Sequence, residues 1–128
     1  MSMVAAACRG EPSAPDDSDV VVVDGMSIRV HLDRAEILRT DGTAYVIGGL
    51  SLIVLRIAAD DYRAFSNVCT HAGCGIFVFQ AARMLCQCHG SEFDLDGRPV
   101  AGPAPLPLTR YSTELDATGT TLTIVRTT

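Results

Sequence analysis

The chain has 128 residues, a formal net charge of −5 and a pI near 4.9, with 48% hydrophobic and 20% charged residues. This length allows one domain with a core of ordinary size, and the composition excludes a disordered chain. An acidic chain without a run of Lys or Arg offers few cations to phosphates, so we expect no nucleic-acid partner. No stretch of about twenty apolar residues occurs, so no transmembrane helix is predicted.

Residues 1–19 are predicted to be a flexible N-terminal tail, because residues 11–19 are rich in Pro, Ser and Asp and have no apolar periodicity. Within this tail, Cys8 follows three alanines, which resembles the end of a bacterial lipoprotein signal. Two interpretations stay open for Cys8: a lipid anchor, or an idle thiol in a loose segment.

From residue 20 onward the chain alternates short strand-like runs with turn residues, which predicts an all-β domain, a sandwich or a barrel, over 20–128. The spacing of Asp33 and Glu36 fits a capping box and predicts a short helical turn over 34–38. The predicted strands are 20–23, 27–32, 43–47, 51–58, 62–66, 76–79, 84–86, 93–95, 110–115 and 121–125.

Four of the five cysteines lie in two short blocks, each of which also holds one histidine. The blocks are Cys69-Thr70-His71-Ala72-Gly73-Cys74 and Cys86-Gln87-Cys88-His89-Gly90-Ser91. The fourteen residues between His71 and Cys86 are enough for a hairpin that brings the blocks together. Two such loops, each giving one thiolate and one imidazole, can close around a metal centre.

The choice of metal depends on how the ligand types are mixed. Zinc accepts two Cys and two His, but its common spacings pair Cys with Cys and His with His. Mixed pairs suit a binuclear cluster in which one iron is held by two thiolates and the other by two imidazoles. A bond between the remaining thiols, Cys74 and Cys88, would staple the loops together, and the Ser91 hydroxyl could donate to a cluster sulfide. A zinc-binding or disulfide-only loop pair is the alternative, and the latter leaves both histidines unexplained.

At these two blocks the sequence resembles the Rieske iron–sulfur proteins, whose boxes are C-T-H-x-G-C and C-P-C-H-G-S. The resemblance covers roughly residues 20–126. It implies one Rieske-type 2Fe–2S cluster per chain, in an antiparallel β-sandwich with a small cluster-binding subdomain at about 67–94. It also implies a proline loop at 102–105 that covers the cluster. The residues implied to bind the cluster are Cys69, His71, Cys86 and His89, and those implied to form a disulfide are Cys74 and Cys88.

The extra cysteine pair resembles the high-potential branch of the family, found in cytochrome bc complexes and the small subunit of arsenite oxidase. Rieske domains of ring-hydroxylating oxygenases, and their ferredoxin partners, generally lack it. Three residues depart from the family pattern: Gln87 replaces a Pro, Phe93 replaces a Tyr, and Ala72 replaces a Leu. The loss of the Tyr hydroxyl predicts a lower reduction potential, and Ala72 weakens the case for quinol oxidation.

The resemblance implies one-electron transfer, by a soluble or anchored carrier or by the small subunit of a respiratory or oxidase complex. No catalytic activity is expected of the chain alone. The expected partners are a cytochrome, a quinol-oxidising complex or the large subunit of an oxidase, with the chain a monomer or one subunit of a hetero-complex. The alternatives are an electron-supplying component of an oxygenase and a structural zinc module. The periplasmic or extracytoplasmic face of a bacterial membrane is the expected location, with the cytoplasm as alternative.

Overall fold

The computed structural model describes residues 20–70 and 73–126. Within these ranges the chain forms β-strands and three short 3₁₀ turns, without an α-helix and without any helical segment of membrane-spanning length and apolarity. The strands are β1 (Val21–Asp24), β2 (Ser27–His31), β3 (Thr43–Ile47), β4 (Leu52–Ala58), β5 (Asp61–Ser66), β6 (Val78–Gln80), β7 (Arg83–Leu85), β8 (Glu92–Phe93), β9 (Pro99–Ala101), β10 (Arg110–Leu115) and β11 (Thr121–Val125).

Seven of these strands form one antiparallel sheet in the order β1-β2-β11-β10-β5-β4-β3. Strand β10 serves both halves of this sheet. Its first two residues, Arg110 and Tyr111, pair with β5, whereas Ser112–Leu115 pair with β11. The remaining four strands form a small antiparallel sheet in the order β9-β8-β7-β6. The predicted all-β antiparallel architecture is therefore confirmed.

Strand β4 explains how one large sheet carries two separate cores. Successive side chains of a strand point to opposite faces. Leu52 and Val54 join a core inside the large sheet, while Ile53 and Leu55 join a second core beneath the small sheet. All four are fully buried, which is why this stretch is continuously apolar in sequence instead of alternating.

The second core lies between the large and small sheets. Besides Ile53 and Leu55, its buried members are Phe65, Cys69, Ile76, Met84, Cys86, Phe93, Ala104 and Leu108. Arg63 of β5 adds a polar link between the same two sheets. Its guanidinium donates to the carbonyl of Leu95 at 2.9 Å and forms ion pairs with Asp61 and Asp96, both at 3.1 Å. The small sheet is thus fixed to the large one by apolar burial and by Arg63.

The predicted capping box is wrong. The chain forms two separate 3₁₀ turns, Leu32–Arg34 and Glu36–Arg39, so Asp33 lies inside the first turn and caps nothing. Ala35 separates the turns with a φ of −102° and a ψ of 82°, which is not helical. Ala35 is buried in the first core, so tertiary packing overrides the local helix signal here.

The turn between β6 and β7 consists of Ala81 and Ala82, both with positive φ, 53° and 61°. Because Gln80 pairs with Arg83, this is a two-residue hairpin loop, and positive φ at both positions is the signature of a type I′ turn. Such turns favour Asn and Gly, because the left-handed region costs other residues about 1–2 kcal/mol. Two alanines therefore hold this hairpin in a strained backbone.

Replacing Ala82 by Gly should raise the free energy of unfolding by about 1 kcal/mol, because glycine adopts positive φ without steric cost. The measurement is urea denaturation of the cluster-loaded protein followed by circular dichroism. The control is Ala117→Gly, at an exposed turn residue outside the positive-φ set, which should lower stability. Equal effects of the two substitutions would contradict the strained-turn interpretation.

The turn between β10 and β11 is organised by one carboxylate. Asp116 accepts hydrogen bonds from the backbone N–H groups of Thr121 and Thr120, at 3.2 and 2.9 Å, and from the Thr118 hydroxyl at 3.0 Å. These donors, with Thr121 the largest contributor, lower the pKa of Asp116 below its ordinary value. The carboxylate therefore stabilises the folded state in its charged form.

The sign of the pH effect follows from this lowered pKa. The stabilisation is complete above the pKa of Asp116 in the unfolded chain, about 3.9, and is lost as the pH falls through the lower folded value. Asp116→Asn should therefore destabilise the protein at pH 7 and converge with wild type in strong acid, as measured by thermal unfolding across pH. The control is Asp60→Asn, which removes one negative charge from the turn between β4 and β5. The same pH-dependent loss of stability in this control would contradict the role of Asp116.

Candidate metal centre

The two cysteine blocks form the tips of two hairpins. The first tip follows β5 and leads into β6, and its base is closed by an isolated antiparallel bridge between Val68 and Gly75. The second tip connects β7 to β8, whose pairing places Leu85 opposite Glu92. Each tip is therefore anchored by strand pairing on both sides.

The two tips share one backbone hydrogen-bond pattern. In the first, the N–H of Cys69 donates to the carbonyl of Cys74 at 2.7 Å, and the N–H of Gly73 donates back to the carbonyl of Cys69 at 3.0 Å. In the second, Cys86 donates to Ser91 at 2.8 Å, and Gly90 donates back to Cys86 at 3.1 Å.

This shared pattern makes the leading cysteine of each block structurally equivalent. Gly73 and Gly90 also match, since both have positive φ, 73° and 79°, which suits glycine. The histidines do not match: one stands two residues after its cysteine and the other three residues after. The two tips therefore share one backbone arrangement, and their histidines differ in sequence position relative to the leading cysteine.

The leading cysteines are buried at the end of the second core. Cys69 and Cys86 are each 2% exposed, and neither forms a disulfide. Burial raises the pKa of the Cys86 thiol above its ordinary value, and the neighbouring Cys69 thiol acts in the same direction. The backbone N–H groups of Cys88 and His89 act in the opposite direction, because they donate to the Cys86 sulfur. Two thiols thus meet in an apolar site with N–H donors already aimed at one of them.

The predicted disulfide between Cys74 and Cys88 is confirmed. It joins the two tips, with its Cα atoms 6.5 Å apart and fourteen positions apart in sequence. A bond closing a loop of this length stabilises a folded chain by about 3 kcal/mol, on the view that it restricts the unfolded chain. The disulfide also removes both of these thiols from competition for a metal.

Of the two histidines in the blocks, the structure describes one, His89. His89 is solvent-exposed at the second tip. His71 lies outside the described residues. Among the described residues no group of three or more His, Cys, Asp or Glu side chains is gathered for metal binding. The four-residue set of Cys69, His71, Cys86 and His89 therefore remains a prediction.

A third loop packs against both tips. The buried Ser91 hydroxyl accepts a hydrogen bond from the backbone N–H of Ala104 at 3.1 Å, which leaves its own hydrogen available for donation. On the other side, the Thr70 hydroxyl donates to the carbonyl of Leu106 at 2.7 Å. The loop that holds Ala104 and Leu106 is thus tied to each tip by one hydrogen bond.

Gly102 lets this third loop approach the second tip closely. Its φ is +83°, and a Cβ atom placed there would lie 2.6 Å from the Cα of Ser91 and 2.8 Å from the carbonyl oxygen of Gly90. These are backbone atoms that cannot rotate away. Glycine is therefore required at position 102 both by conformation and by space.

The sequence profile of the Rieske [2Fe-2S] domain matches residues 28–112, a span that includes both tips and the third loop. The chain belongs to the Rieske [2Fe-2S] domain family. A Rieske-type 2Fe–2S cluster is the cofactor that this membership implies.

Rieske relatives come from more than one kind of electron-transfer system. The cytochrome b6-f complex iron-sulfur subunit of Chlorobaculum tepidum is 43% identical over 54 residues, 41% of this chain and 30% of that subunit. The cytochrome bc1 complex Rieske iron-sulfur subunit of Corynebacterium diphtheriae is 43% identical over 63 residues, 46% of this chain and 16% of that subunit. The match therefore spans less than a third of either subunit.

A solved Rieske structure matches over a larger share of both chains. The ferredoxin of carbazole 1,9a-dioxygenase from Nocardioides aromaticivorans is 29% identical, with a TM-score of 0.60. The match covers 84% of this chain and 99% of that ferredoxin. The whole ferredoxin thus corresponds to most of the present domain.

The described residues fit a Rieske cluster. The thiols of Cys69 and Cys86, each 2% exposed, would provide two sulfur ligands, and the N–H groups near Cys86 suit an anionic sulfur. His89 adds an exposed imidazole at the same tip, and the Ser91 hydrogen can be donated into the site. Thiolate and imidazole donors on opposed loops match the chemistry of a centre whose two irons differ.

Sequence reasoning missed Asn67 altogether, and it placed Thr70 in the first block and Gly102 in the predicted proline loop without giving either residue a role of its own. Asn67 is buried at the base of the first tip, where its side-chain amide donates to the carbonyl of Ile76 at 3.3 Å. Only Gly102 carried a signal, since a glycine before a proline often marks a tight turn. The bonds of Asn67 and Thr70 depend on residues 9 and 36 positions away, which no local pattern reports.

Replacing Gly102 by Ala should lower the free energy of unfolding by about 2 kcal/mol, because the added methyl group would collide with the backbone of residues 90 and 91. Gly119→Ala is the matched control, because Gly119 has a φ of +73° and open space around it. The control should lower the free energy of unfolding by only about 1 kcal/mol, which is the cost of placing an alanine in the left-handed region. The measurement is urea denaturation of both variants, and equal losses would show that the close approach contributes nothing.

Proposed function

We propose that this chain transfers single electrons through a Rieske 2Fe–2S cluster held by Cys69, His71, Cys86 and His89. The observation that carries the proposal is the pair of equivalent hairpin tips, joined by the Cys74–Cys88 disulfide, that bring two buried thiols face to face. Family membership supports the cluster type.

The protein residues have separate tasks in this proposal. Cys69 and Cys86 would hold one iron through their buried thiols, and His71 and His89 would hold the other through their imidazoles. Ser91 donates its hydroxyl hydrogen to the site, and the third loop holds that hydroxyl in position through Ala104. When bound, the cluster supplies a centre that gains and loses one electron.

The disulfide favours a carrier or subunit of the high-potential branch, with a cytochrome, a quinol-oxidising complex or an oxidase large subunit as partner. The cytochrome-complex relatives support this choice, although the chain spans under a third of their length. The second candidate is an electron-supplying component of an oxygenase, which is favoured by the near-complete coverage of a dioxygenase ferredoxin. Phe93, fully buried beside the thiols, favours a lower potential than a tyrosine would give.

For location we propose the periplasmic or extracytoplasmic face of a bacterial membrane, with the cytoplasm as the alternative. The disulfide supports this, since such bonds persist mainly in oxidising compartments. Lipid attachment at Cys8 is part of the same proposal, and Cys8 lies outside the described residues. The subdomain limits of about 67–94 also remain a proposal, and the small sheet itself continues to Ala101.

Purified protein should contain iron and acid-labile sulfide in equal amounts and, once reduced, give a paramagnetic resonance signal with nitrogen couplings from two imidazoles. His89→Ala should abolish that signal, because it removes one ligand of the iron that the imidazoles would hold. His31→Ala is the matched control, since His31 lies on β2 in the large sheet, and it should keep signal and iron content.

Two results would contradict the proposal. Stoichiometric zinc in place of iron and sulfide would make the chain a structural zinc module. Retention of two nitrogen couplings in His89→Ala would remove His89 from the ligand set. The cysteine assignment is tested in the same way, with Cys86→Ala losing the cluster and Cys8→Ala retaining it.

A further inference from the structure

The large sheet has an open edge at β1, which ends the strand order and has no described strand on its outer side. The register of the β1–β2 hairpin fixes which main-chain groups face this edge. The N–H of His31 donates to the carbonyl of Val20 at 2.7 Å, and the pairing then runs in unbroken register to the turn. In an antiparallel pair, every second residue points its N–H and C=O groups at its neighbour, and the residues between point theirs away. The N–H and C=O groups of Val21 and Val23 therefore face the open edge.

Strand β1 also presents apolar side chains at this edge. Residues 20–23 are four valines, without a charge or a proline among them. Val23 is 53% exposed, although Ile28, the residue with which it pairs, is buried in the first core. An edge strand with outward-facing main-chain groups and apolar side chains is a template for another strand.

The other edges of the two sheets are protected. Strand β3, the far edge of the large sheet, contacts both the 3₁₀ turn Glu36–Arg39 and β6, an edge of the small sheet. Strand β9, the remaining edge, begins with Pro99 and pairs irregularly with β8. Covering segments, prolines and irregular pairing prevent an edge from recruiting another strand. Within the described chain, β1 has none of these three protections.

Two copies of β1 are complementary to each other when they lie antiparallel about a twofold axis at Val22. In this register, Val21 of each copy lies opposite Val23 of the other. Because the main-chain groups of these two residues face outward, each opposed pair exchanges two N–H···O hydrogen bonds. The exposed side chain of Val23 then packs beside Val21 of the second copy. A second copy of this chain therefore satisfies both the main chain and the side chains of the edge.

The charges near β1 are compatible with this pairing. The carboxylate of Asp24 lies 3.8 Å from the guanidinium of Arg29 in its own chain. In the register centred on Val22, Asp24 lies opposite Val20 of the second copy. A pairing centred on Asp24 would instead set two carboxylates opposite each other, which is destabilising. The position of Asp24 therefore favours a register centred within the valines.

We propose that two copies of this chain associate through β1 and join their large sheets into one continuous sheet. One strand from each copy buries less area than the roughly 1,200–2,000 Å² of a stable interface, so the dimer exchanges with monomer as the concentration changes. Three strands separate β1 from β5, from which the first hairpin tip continues, so the association leaves the tips away from the interface. This inference does not rest on the proposed function.

Cross-linking tests the register directly, in a cluster-loaded chain that also carries Cys8→Ala. The variants are Val22→Cys, at the twofold axis, and the control Val23→Cys, which lies opposite Val21 of the second copy. The Cα atoms of a pair at the axis lie about 4.5 Å apart, within the span of a disulfide, about 4.4–6.8 Å. Under mild oxidation, Val22→Cys should form a disulfide-linked dimer at least about tenfold faster than Val23→Cys, although Val23 is the more exposed residue.

Sedimentation equilibrium tests the association without added thiols, over a roughly hundredfold range of concentration. The wild-type mass should rise from 13.6 kDa toward twice that value. Val23→Pro removes an N–H that faces the edge and leaves the β1–β2 hydrogen bonds in place, so it should raise the dissociation constant at least about tenfold. Val23→Thr keeps this N–H and should stay within about twofold of wild type. Cluster absorption and thermal unfolding verify the fold of both variants, and the cross-linking pair decides the question if Val23→Pro fails to fold.

Three results would overturn the association through β1. One is a wild-type chain that stays at 13.6 kDa over the whole range. Another is equal cross-linking of the two cysteine variants. The third is a full chain that stays monomeric while a chain without residues 1–19 dimerises, which would assign the edge to those residues. None of these measurements reads electron transfer, so a chain without iron and sulfide refutes the proposed function alone.

Discussion

The bond between Cys74 and Cys88 is the constraint on which the arrangement of the site depends. Each hairpin tip has its own hydrogen bonds and strand pairing, and this bond is the covalent link between the described parts of the two tips. Without it, the relative position of the tips would depend on packing beneath them and on the third loop above them. The link leaves only Cys69 and Cys86, among the described cysteines, as thiols that can bind a metal.

The support beneath the tips comes from the two-sided burial of β4. Because Ile53 and Leu55 point away from the main core, the large sheet presents a second apolar face on which the small sheet rests. The buried thiols extend this face, so the metal site is continuous with a packed core and not an addition to the surface. A rigid base of this kind keeps ligands in place when the charge of a centre changes.

Much of this structure could be predicted from local sequence patterns. All ten predicted strands overlap observed ones, and the disulfide follows the predicted pairing, because alternating apolar residues, Asp-Gly turns and two specific blocks each leave a local signal. Strand β9 was not predicted, since its three residues acquire their pairing only through β8. The turn of Ala81 and Ala82 carried no turn residue at all, so its positive φ values follow only from the pairing of the strands it connects.

The order β2-β11-β10 has a consequence for synthesis of the chain. Strand β11, the last of the described strands, lies inside the large sheet, hydrogen-bonded on one side to β2 and on the other to β10. The β1–β2 hairpin therefore has no sheet to join until residues 121–125 have left the ribosome. All five cysteines leave the ribosome before β11 does. Any metal insertion or thiol oxidation that happens before the sheet closes therefore takes place on a chain whose framework is still incomplete.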